Sequence, residues 1–203
     1  MKKKLLLINC YREEGEKKIG GYLTWLRAGM AAAGLDLDIL ILTDREALPE
    51  NQVLSGVIIS GSQKMVGANE MEAGLLEFLK TNRRPLLGIC YGHQVLARAF
   101  GGLVKKDKQT HLGAEEIFLK KPGRLFQVFP QVFKMAESHE EIVVNDMALA
   151  ANFHILAANA AGQVEAIAHQ DYPFYGVQFH PEKSGEMGVK LLVNFLKQAV
   201  DSR

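Results

Sequence analysis

The stretch Leu86-Leu-Gly-Ile-Cys-Tyr-Gly-His-Gln94 decides the fold of this 203-residue chain. Its apolar run ends one residue before Cys90, and a helical pattern begins near Gly92, so the cysteine stands where a strand turns into a helix. Gly88 and Gly92 flank it as G-x-C-x-G, the cysteine form of the turn that exposes a nucleophile. A helix N-terminus favours a thiolate. The spacing therefore predicts a nucleophilic Cys90, with the backbone N–H of Tyr91 placed to donate to an oxyanion.

Short apolar runs alternate with helical patterns before this stretch. The runs are Leu5–Ile8, Ile39–Leu42 and Val57–Ser60, and helices are predicted over Ile19–Ala33 and Glu70–Thr81. Strands that are apolar on both faces, and that alternate with helices, indicate a parallel sheet with helices on both sides.

Beyond Leu103 the apolar runs become shorter, and turn residues separate them. This pattern predicts an antiparallel or mixed segment, which an amphipathic helix over Glu186–Val200 follows. The predicted fold class is α/β, with three layers: a mostly parallel central sheet, flanking helices, and a smaller antiparallel or mixed segment in the second half. We find no linker or internal repeat, so we expect a single domain over residues 1–203.

The composition argues against several classes of protein. The 24 Lys and Arg residues against 23 Asp and Glu residues leave a net charge of +1, without the basic excess of a nucleic-acid-binding protein. No apolar run is long enough for a transmembrane helix, so we expect no membrane partner and a cytoplasmic location. Only Cys10 and Cys90 are present, which excludes a disulfide framework and a four-cysteine zinc site. We expect Cys10 to be a core residue, and we predict no metal site.

The stretch Tyr175-Gly-Val-Gln-Phe-His-Pro-Glu182 offers partners for the cysteine. Residues two apart on a strand face the same side, so His180 and Glu182 are predicted to project together. A cysteine nucleophile needs a base, and the base needs an acceptor that orients it. We assign His111 and His139 to loops, where a surface position is the simpler interpretation.

The two motifs together resemble the class I, or triad, glutamine amidotransferases. They are G-x-C-x-G-H-Q at Gly88–Gln94 and G-V-Q-F-H-P-E at Gly176–Glu182. The resemblance implies that the Cys90 thiolate attacks the side-chain amide of glutamine, ammonia leaves, and water releases glutamate from a γ-glutamyl thioester. It also implies that His180 is the general base and acid, and that Glu182 is the orienting carboxylate.

Further site residues follow from the same resemblance. Gln94 is similar to a family residue that helps to hold the glutamine substrate. In the loop that completes the oxyanion hole, Gly61 matches, whereas Ser62 and Gln63 replace the usual Gly and Pro. A backbone N–H survives these changes, so Gly61 and Ser62 join Tyr91 as predicted oxyanion donors. A segment that borders the glutamine pocket in the family places three residues near the substrate: Ser138, His139 and Glu140.

Within the family, Thr110–Gly113 and Val164–His169 are most similar to the GMP synthetase branch in which the glutaminase is a separate subunit. The chain has no phosphate-binding loop, so we expect no cofactor in it, and the resemblance implies that ATP and Mg²⁺ belong to a partner synthetase. Two alternatives stay open. One is a stand-alone hydrolase of γ-glutamyl compounds, whose loop is similar to Ile59-Ser-Gly-Ser62, and the other is a catalytically silent binding or regulatory protein.

Overall fold

A computed structural model of the chain describes residues 2–12, 15–49 and 54–201. The strands in these ranges are β1 (Lys4–Asn9), β2 (Asp38–Thr43), β3 (Leu54–Ile59), β4 (Leu86–Ile89), β5 (Val104–Leu119), β6 (Val132–Val143), β7 (Phe153–Asn159), β8 (Val164–His169) and β9 (Phe174–Val177). The helices are α1 (Gly15–Ala33), α2 (Ala73–Thr81), α3 (Tyr91–Ala99), α4 (Met147–Ala150) and α5 (Gly185–Asp201). All the strands belong to one sheet, in the order β2-β1-β3-β4-β9-β8-β7-β5-β6.

The parallel half of the sheet comprises β2, β1, β3, β4 and β9. Strands β1, β3, β4 and β9 are largely buried on both faces because their side chains alternate between two cores, whereas the edge strand β2 is partly exposed. Leu5 and Leu7 of β1 pack in the core that includes α1 and α5, whereas Leu6 and Ile8 pack in the core that includes α2 and α3. Helices therefore cover both faces, as the apolar runs predict, and the α/β fold class is confirmed.

The antiparallel half continues the same sheet instead of forming a separate segment. Strands β9, β8, β7, β5 and β6 each pair antiparallel with the next strand in the sheet order. Two of the short apolar runs beyond Leu103, those that begin at Val132 and at Ile142, belong to the single long strand β6, which pairs with β5 over most of its length. His111 and His139 lie in these two strands and are buried, so their assignment to exposed loops was wrong.

The long hairpin of β5 and β6 lies at the edge of the sheet but folds back over its interior. The backbone N–H of His180, just beyond β9, donates to Ala136 O of β6 at 2.7 Å. Strands β9 and β6 are four places apart in the strand order, so this contact requires the sheet to curl. The curl brings β6 over the carboxyl ends of β4 and β9, where a doubly wound sheet holds its functional residues.

Candidate active site

Cys90 occupies a strained turn between β4 and α3. Its φ of 50° and ψ of −101° lie in a region that residues with side chains rarely adopt. The turn is held because Cys90 N–H donates to Val177 O at 2.8 Å and Cys90 O accepts from Gln94 N–H at 3.1 Å. Strain of this kind costs about 1–3 kcal/mol and is concentrated at functional sites. The strand-to-helix turn predicted from the G-x-C-x-G spacing is thus present.

The two glycines of the turn are required by close packing. A Cβ on Gly88 would lie 2.4 Å from Gly92 O, and a Cβ on Gly92 would lie 2.6 Å from Ile59 O. The helix that carries Cys90 therefore sits directly against β3 and β4. This close approach sets the position of the sulfur atom relative to the carboxyl ends of the strands.

Replacing Gly92 with alanine is expected to lower the free energy of unfolding by about 1–3 kcal/mol, because the new methyl group would collide with the carbonyl oxygen and the Cβ of Ile59. Gly20→Ala is the matched control. Gly20 lies within α1 with open space around its Cα, so alanine should stabilise the protein by up to about 1 kcal/mol. Urea unfolding of both variants measures the difference, and equal stabilities would contradict the packing argument.

His180 and Glu182 form a buried pair beyond β9. The Nδ1 atom of His180 lies 2.7 Å from Glu182 Oε1, and both side chains are almost fully buried. The pairing was predicted, but for the wrong reason, since β9 ends at Val177 and the two residues do not share a strand. A short 3₁₀ turn over Pro181–Lys183 brings the carboxylate back to the imidazole.

The charges around His180 favour its protonated form. Burial lowers the pKa of His180, but the neighbouring Cys90 and the bonded Glu182 outweigh it and raise that pKa to about 10. Its Nε2 atom has no hydrogen-bond partner within the described ranges and is buried, so it is available on the side of Cys90. The arrangement can therefore hold an imidazolium between a thiolate and a carboxylate.

The predicted oxyanion loop follows β3 and lies against His180. A Cβ on Gly61 would be 3.1 Å from His180 Cε1. The N–H of Gly61 donates to the hydroxyl oxygen of Tyr22 at 2.9 Å, so this donor is already engaged in the structure. The Ser62 hydroxyl donates to Cys10 O at 2.7 Å and fixes the loop to the end of β1. Tyr91, the third predicted donor, begins α3 and is buried.

The candidate substrate residues separate into two groups. Ser138 lies at the cysteine, with its carbonyl oxygen 3.9 Å from Cys90 Sγ. Glu140 is half exposed and pairs with Lys106 at 3.1 Å. In contrast, the side chains of Gln94, in α3, and His139, in β6, are buried. The Gln94 amide nitrogen donates to Glu141 O at 2.9 Å, and His139 Nδ1 lies 2.9 Å from the same oxygen.

Sequence reasoning missed the buried polar residues around these positions. Glu137, Glu165 and Gln178 are each at most 3% exposed. Glu165 interrupts the apolar run Val164–His169, and that interruption was a signal which the pattern already contained. Ligand atoms of Glu137, His139 and Glu165 lie within 4.8 Å of one another, close enough to surround a metal ion. The expectation that the chain holds no metal or other cofactor remains a prediction.

None of the helices in the described ranges combines the length and the apolar character needed to span a lipid bilayer.

The family model for class-I glutamine amidotransferases matches residues 19–199, and the chain belongs to this family.

Within this family, the chain is similar to A subunits of glutamine-hydrolysing GMP synthases. The chain is 37% identical over 151 residues to the A subunit of the glutamine-hydrolysing GMP synthase of Methanococcus aeolicus, an alignment that covers 74% of this chain and 77% of the relative. For the corresponding Pyrococcus furiosus protein, the identity is 33% over 166 residues, 80% of this chain and 86% of the relative. The glutaminase domain of Trypanosoma brucei CTPS with bound acivicin has the same fold, with a TM-score of 0.80 at 18% identity over 99% of this chain and 95% of that one.

Proposed function

We propose that this chain hydrolyses the side-chain amide of glutamine and delivers the ammonia to a separate synthetase subunit of the GMP synthase type. The observation that carries the proposal is the group of Cys90, His180 and Glu182 at the carboxyl ends of β4 and β9. Membership of the class-I family, and relatives named as the A subunit of GMP synthase, support the substrate and the partner.

The reaction uses each member of this group in turn. The Cys90 thiolate attacks the amide carbon, and backbone N–H groups at Tyr91, Gly61 and Ser62 face the developing oxyanion. His180, held by Glu182, gives its proton to the leaving nitrogen, the C–N bond breaks, and ammonia departs to leave a γ-glutamyl thioester on Cys90. His180 then takes a proton from water, whose oxygen attacks the thioester. The C–S bond then breaks, glutamate is released, and the Cys90 thiolate is restored beside protonated His180.

The oxyanion donors give the proposal a specific requirement. The N–H of Gly61 donates to Tyr22 in the structure, so this bond must open before the amide can bind a substrate oxygen. The N–H of Tyr91 is at the first turn of α3, where helix amides lack intrahelical acceptors. The N-terminal end of the helix adds a favourable dipole for a negative oxygen.

The proposal also covers the cofactors, the cellular location and the partner of the chain. We place ATP and Mg²⁺ on the partner synthetase and no cofactor on this chain, and we assign both proteins to the cytoplasm. Residues 1–203 act as one glutaminase domain. Lys105 and Lys106 lie in β5, the strand that pairs with the Ser138-bearing strand β6, and are candidate contacts for the partner.

Glutamate release tests the function directly. The chain is assayed with glutamine alone and then with a GMP-synthase-type synthetase subunit, XMP and ATP. We expect release that requires Cys90 in at least the second assay, coupled to GMP formation. Release of amines from γ-glutamyl amides in preference to ammonia from glutamine would support the stand-alone hydrolase instead. No turnover in any of these assays would favour the silent protein and contradict the proposal.

Replacing Glu182 with glutamine is expected to lower kcat for glutamine by about 10²–10⁴-fold, because a neutral amide orients His180 without stabilising its charge. The loss should be smaller than the loss on replacing Cys90, since Glu182 orients and does not react. Steady-state kinetics at pH 7 measure both, with circular dichroism to check the fold. A loss for Glu182→Gln that equals the loss for Cys90→Ala, in a folded protein, would refute this ranking.

A further inference from the structure

Three buried ionisable side chains meet behind the candidate active site. Glu137 and His139 come from β6, and Glu165 comes from β8. Their side chains are nearly inaccessible, and Glu137 Oε2 lies 3.2 Å from His139 Nε2. Strand β6 is three places from β8 in the sheet, so these contacts cross the interior of the curl. We call this group the Glu137–His139–Glu165 cluster.

If both carboxyl groups of the cluster are ionised, it has no hydrogen-bond donor for their oxygen atoms or for His139 Nε2. His139 Nδ1 lies 2.9 Å from Glu141 O, a carbonyl that can only accept, so Nδ1 carries the proton of the neutral ring. The lone pair of Nε2 then faces Glu137. Within the described ranges, all four carboxylate oxygens and this Nε2 are buried without a hydrogen-bond partner. Protons on the two acids would supply the missing donors, with Glu165 donating to Glu137 and Glu137 donating to His139.

The surroundings favour those protons. Burial raises the pKa of Glu137 to about 8 and raises the pKa of Glu165 well above its ordinary range. Burial also lowers the pKa of His139, which keeps the ring neutral. The other titratable groups that face the cluster come from β5, α3 and the segment after β9: His111, Glu115, His93 and His180. Among the described residues, none of these four supplies a hydrogen bond to the carboxyl groups.

The cluster is joined to the cysteine through one strand. Ser138 stands between Glu137 and His139, and its carbonyl oxygen lies 3.9 Å from Cys90 Sγ. Ala136, which precedes Glu137, accepts a hydrogen bond from the backbone N–H of His180 at 2.7 Å. The Glu137–His139–Glu165 cluster therefore holds residues 136–139 of β6, the same segment that lies against Cys90 and His180.

We propose that Glu165 is a positioning residue that acts as a neutral carboxylic acid: it donates a hydrogen bond to Glu137, which donates in turn to His139, and this chain of bonds holds the Ser138 carbonyl over Cys90. Only the expected effect of Glu165 on turnover rests on the proposed glutaminase activity. Glu165 does not touch the reacting atoms. Glu165 acts through β6. Its neutral form is needed because the buried oxygen atoms of the cluster have no other hydrogen-bond donor among the described residues.

The first test compares two replacements of Glu165 at pH 7. Glu165→Gln keeps a neutral donor and acceptor, and it should preserve kcat/KM for glutamine. Glu165→Leu removes both and should lower kcat/KM by about 10- to 100-fold through misplacement of β6. Glu116→Gln, an exposed carboxylate on β5, is the matched control. Unchanged activity of a folded Glu165→Leu variant, or equal losses for Gln and Leu, would overturn the proposal.

The second test follows thermal stability with pH and needs no turnover. The folded pKa of Glu137 is raised from 4.5 to about 8, so its stabilising effect is complete below pH 4.5 and is lost as the pH rises through 8. The wild-type Tm should therefore fall over this window. The fall should be smaller in Glu165→Gln, where one titrating acid is gone. Identical pH dependence in the two proteins would contradict proton sharing.

Two further measurements distinguish proton sharing from metal binding and from an effect on stability alone. Zn²⁺, Mn²⁺ and EDTA should leave the wild-type Tm unchanged, whereas a stoichiometric gain in Tm with either ion would show a metal site in place of shared protons. The alkylation rate of Cys90 by iodoacetamide, followed by mass spectrometry of its peptide, should change in Glu165→Leu and not in Glu165→Gln. An unchanged rate in Glu165→Leu would overturn the proposal, even if the wild-type protein hydrolyses no glutamine.

Discussion

Cys90→Ala is expected to lower glutamine hydrolysis by about 10⁴–10⁶-fold while the protein stays folded, because the thioester cannot form without the sulfur atom. The residual rate would come from binding and from the oxyanion donors alone. Alanine removes only the sulfur atom from a position that is already buried, so the turn and its backbone hydrogen bonds should persist. Glutamate release, measured with the synthetase present, checks the prediction.

Cys10→Ala is the matched control for the loss of a thiol. Cys10 is buried beside the oxyanion loop, and burial raises the pKa of its thiol well above the ordinary value, so it is a poor nucleophile. Its hydrogen bonds to Ser60 and Ser62 use the backbone, which the substitution retains. We expect activity close to wild type. Strong activity in Cys90→Ala, or equal losses in both variants, would exclude Cys90 as the nucleophile.

Lys64→Met is expected to lower the free energy of unfolding by about 3–5 kcal/mol, since it leaves a buried carboxylate without its cation. Lys64 Nζ lies 2.7 Å from Asp44 Oδ2 and 3.2 Å from Glu72 Oε1, and the side chains of Lys64 and Asp44 are each only 3% exposed. Lys64 also ends the oxyanion loop, with its N–H donating to Ser62 Oγ at 3.1 Å. Activity should therefore fall together with stability.

Urea unfolding measures this prediction against two controls. Lys2→Met removes a surface cation that pairs with Asp36 and Asp38, and it should leave the urea midpoint almost unchanged because solvent screens this pair. The double variant Lys64→Met and Asp44→Asn removes the buried charge as well, so it should recover most of the stability. If Lys64→Met unfolds at the same urea concentration as Lys2→Met, the ion pair does not support the loop.

The turn at Cys90 was predictable because it is a local feature. A buried strand, two glycines and a helical pattern occupy consecutive residues, and backbone sterics restrict which residues can stand there. The parallel half was predictable for a similar reason. Its inner strands β1, β3 and β4 are buried on both faces, so continuous apolar runs mark them, and Leu86–Ile89 is the strand observed.

The β5–β6 hairpin was harder to predict because its pattern mixes buried charges with exposed apolar residues. Leu112 is 78% exposed, whereas Glu137 and Glu141 are buried, which reverses the usual rule for both residue types. Glu141 is satisfied by the N–H groups of Val66 and Gly67, more than seventy residues earlier in the chain. No local pattern contains such a partner.

The amino-acid sequence by itself determined the strand-to-helix turn and the family, and it predicted Cys90, His180 and Glu182 as the catalytic residues, because short motifs with strict spacing encode these features. Only the tertiary structure decided which other residues meet at the site. The curl of the sheet places β6 over Cys90, which puts the Ser138 carbonyl near the sulfur. The same curl buries the side chains of Gln94 and His139. That placement depends on contacts between strands distant in sequence, since side chains buried in the interior must find their hydrogen-bond partners across the fold.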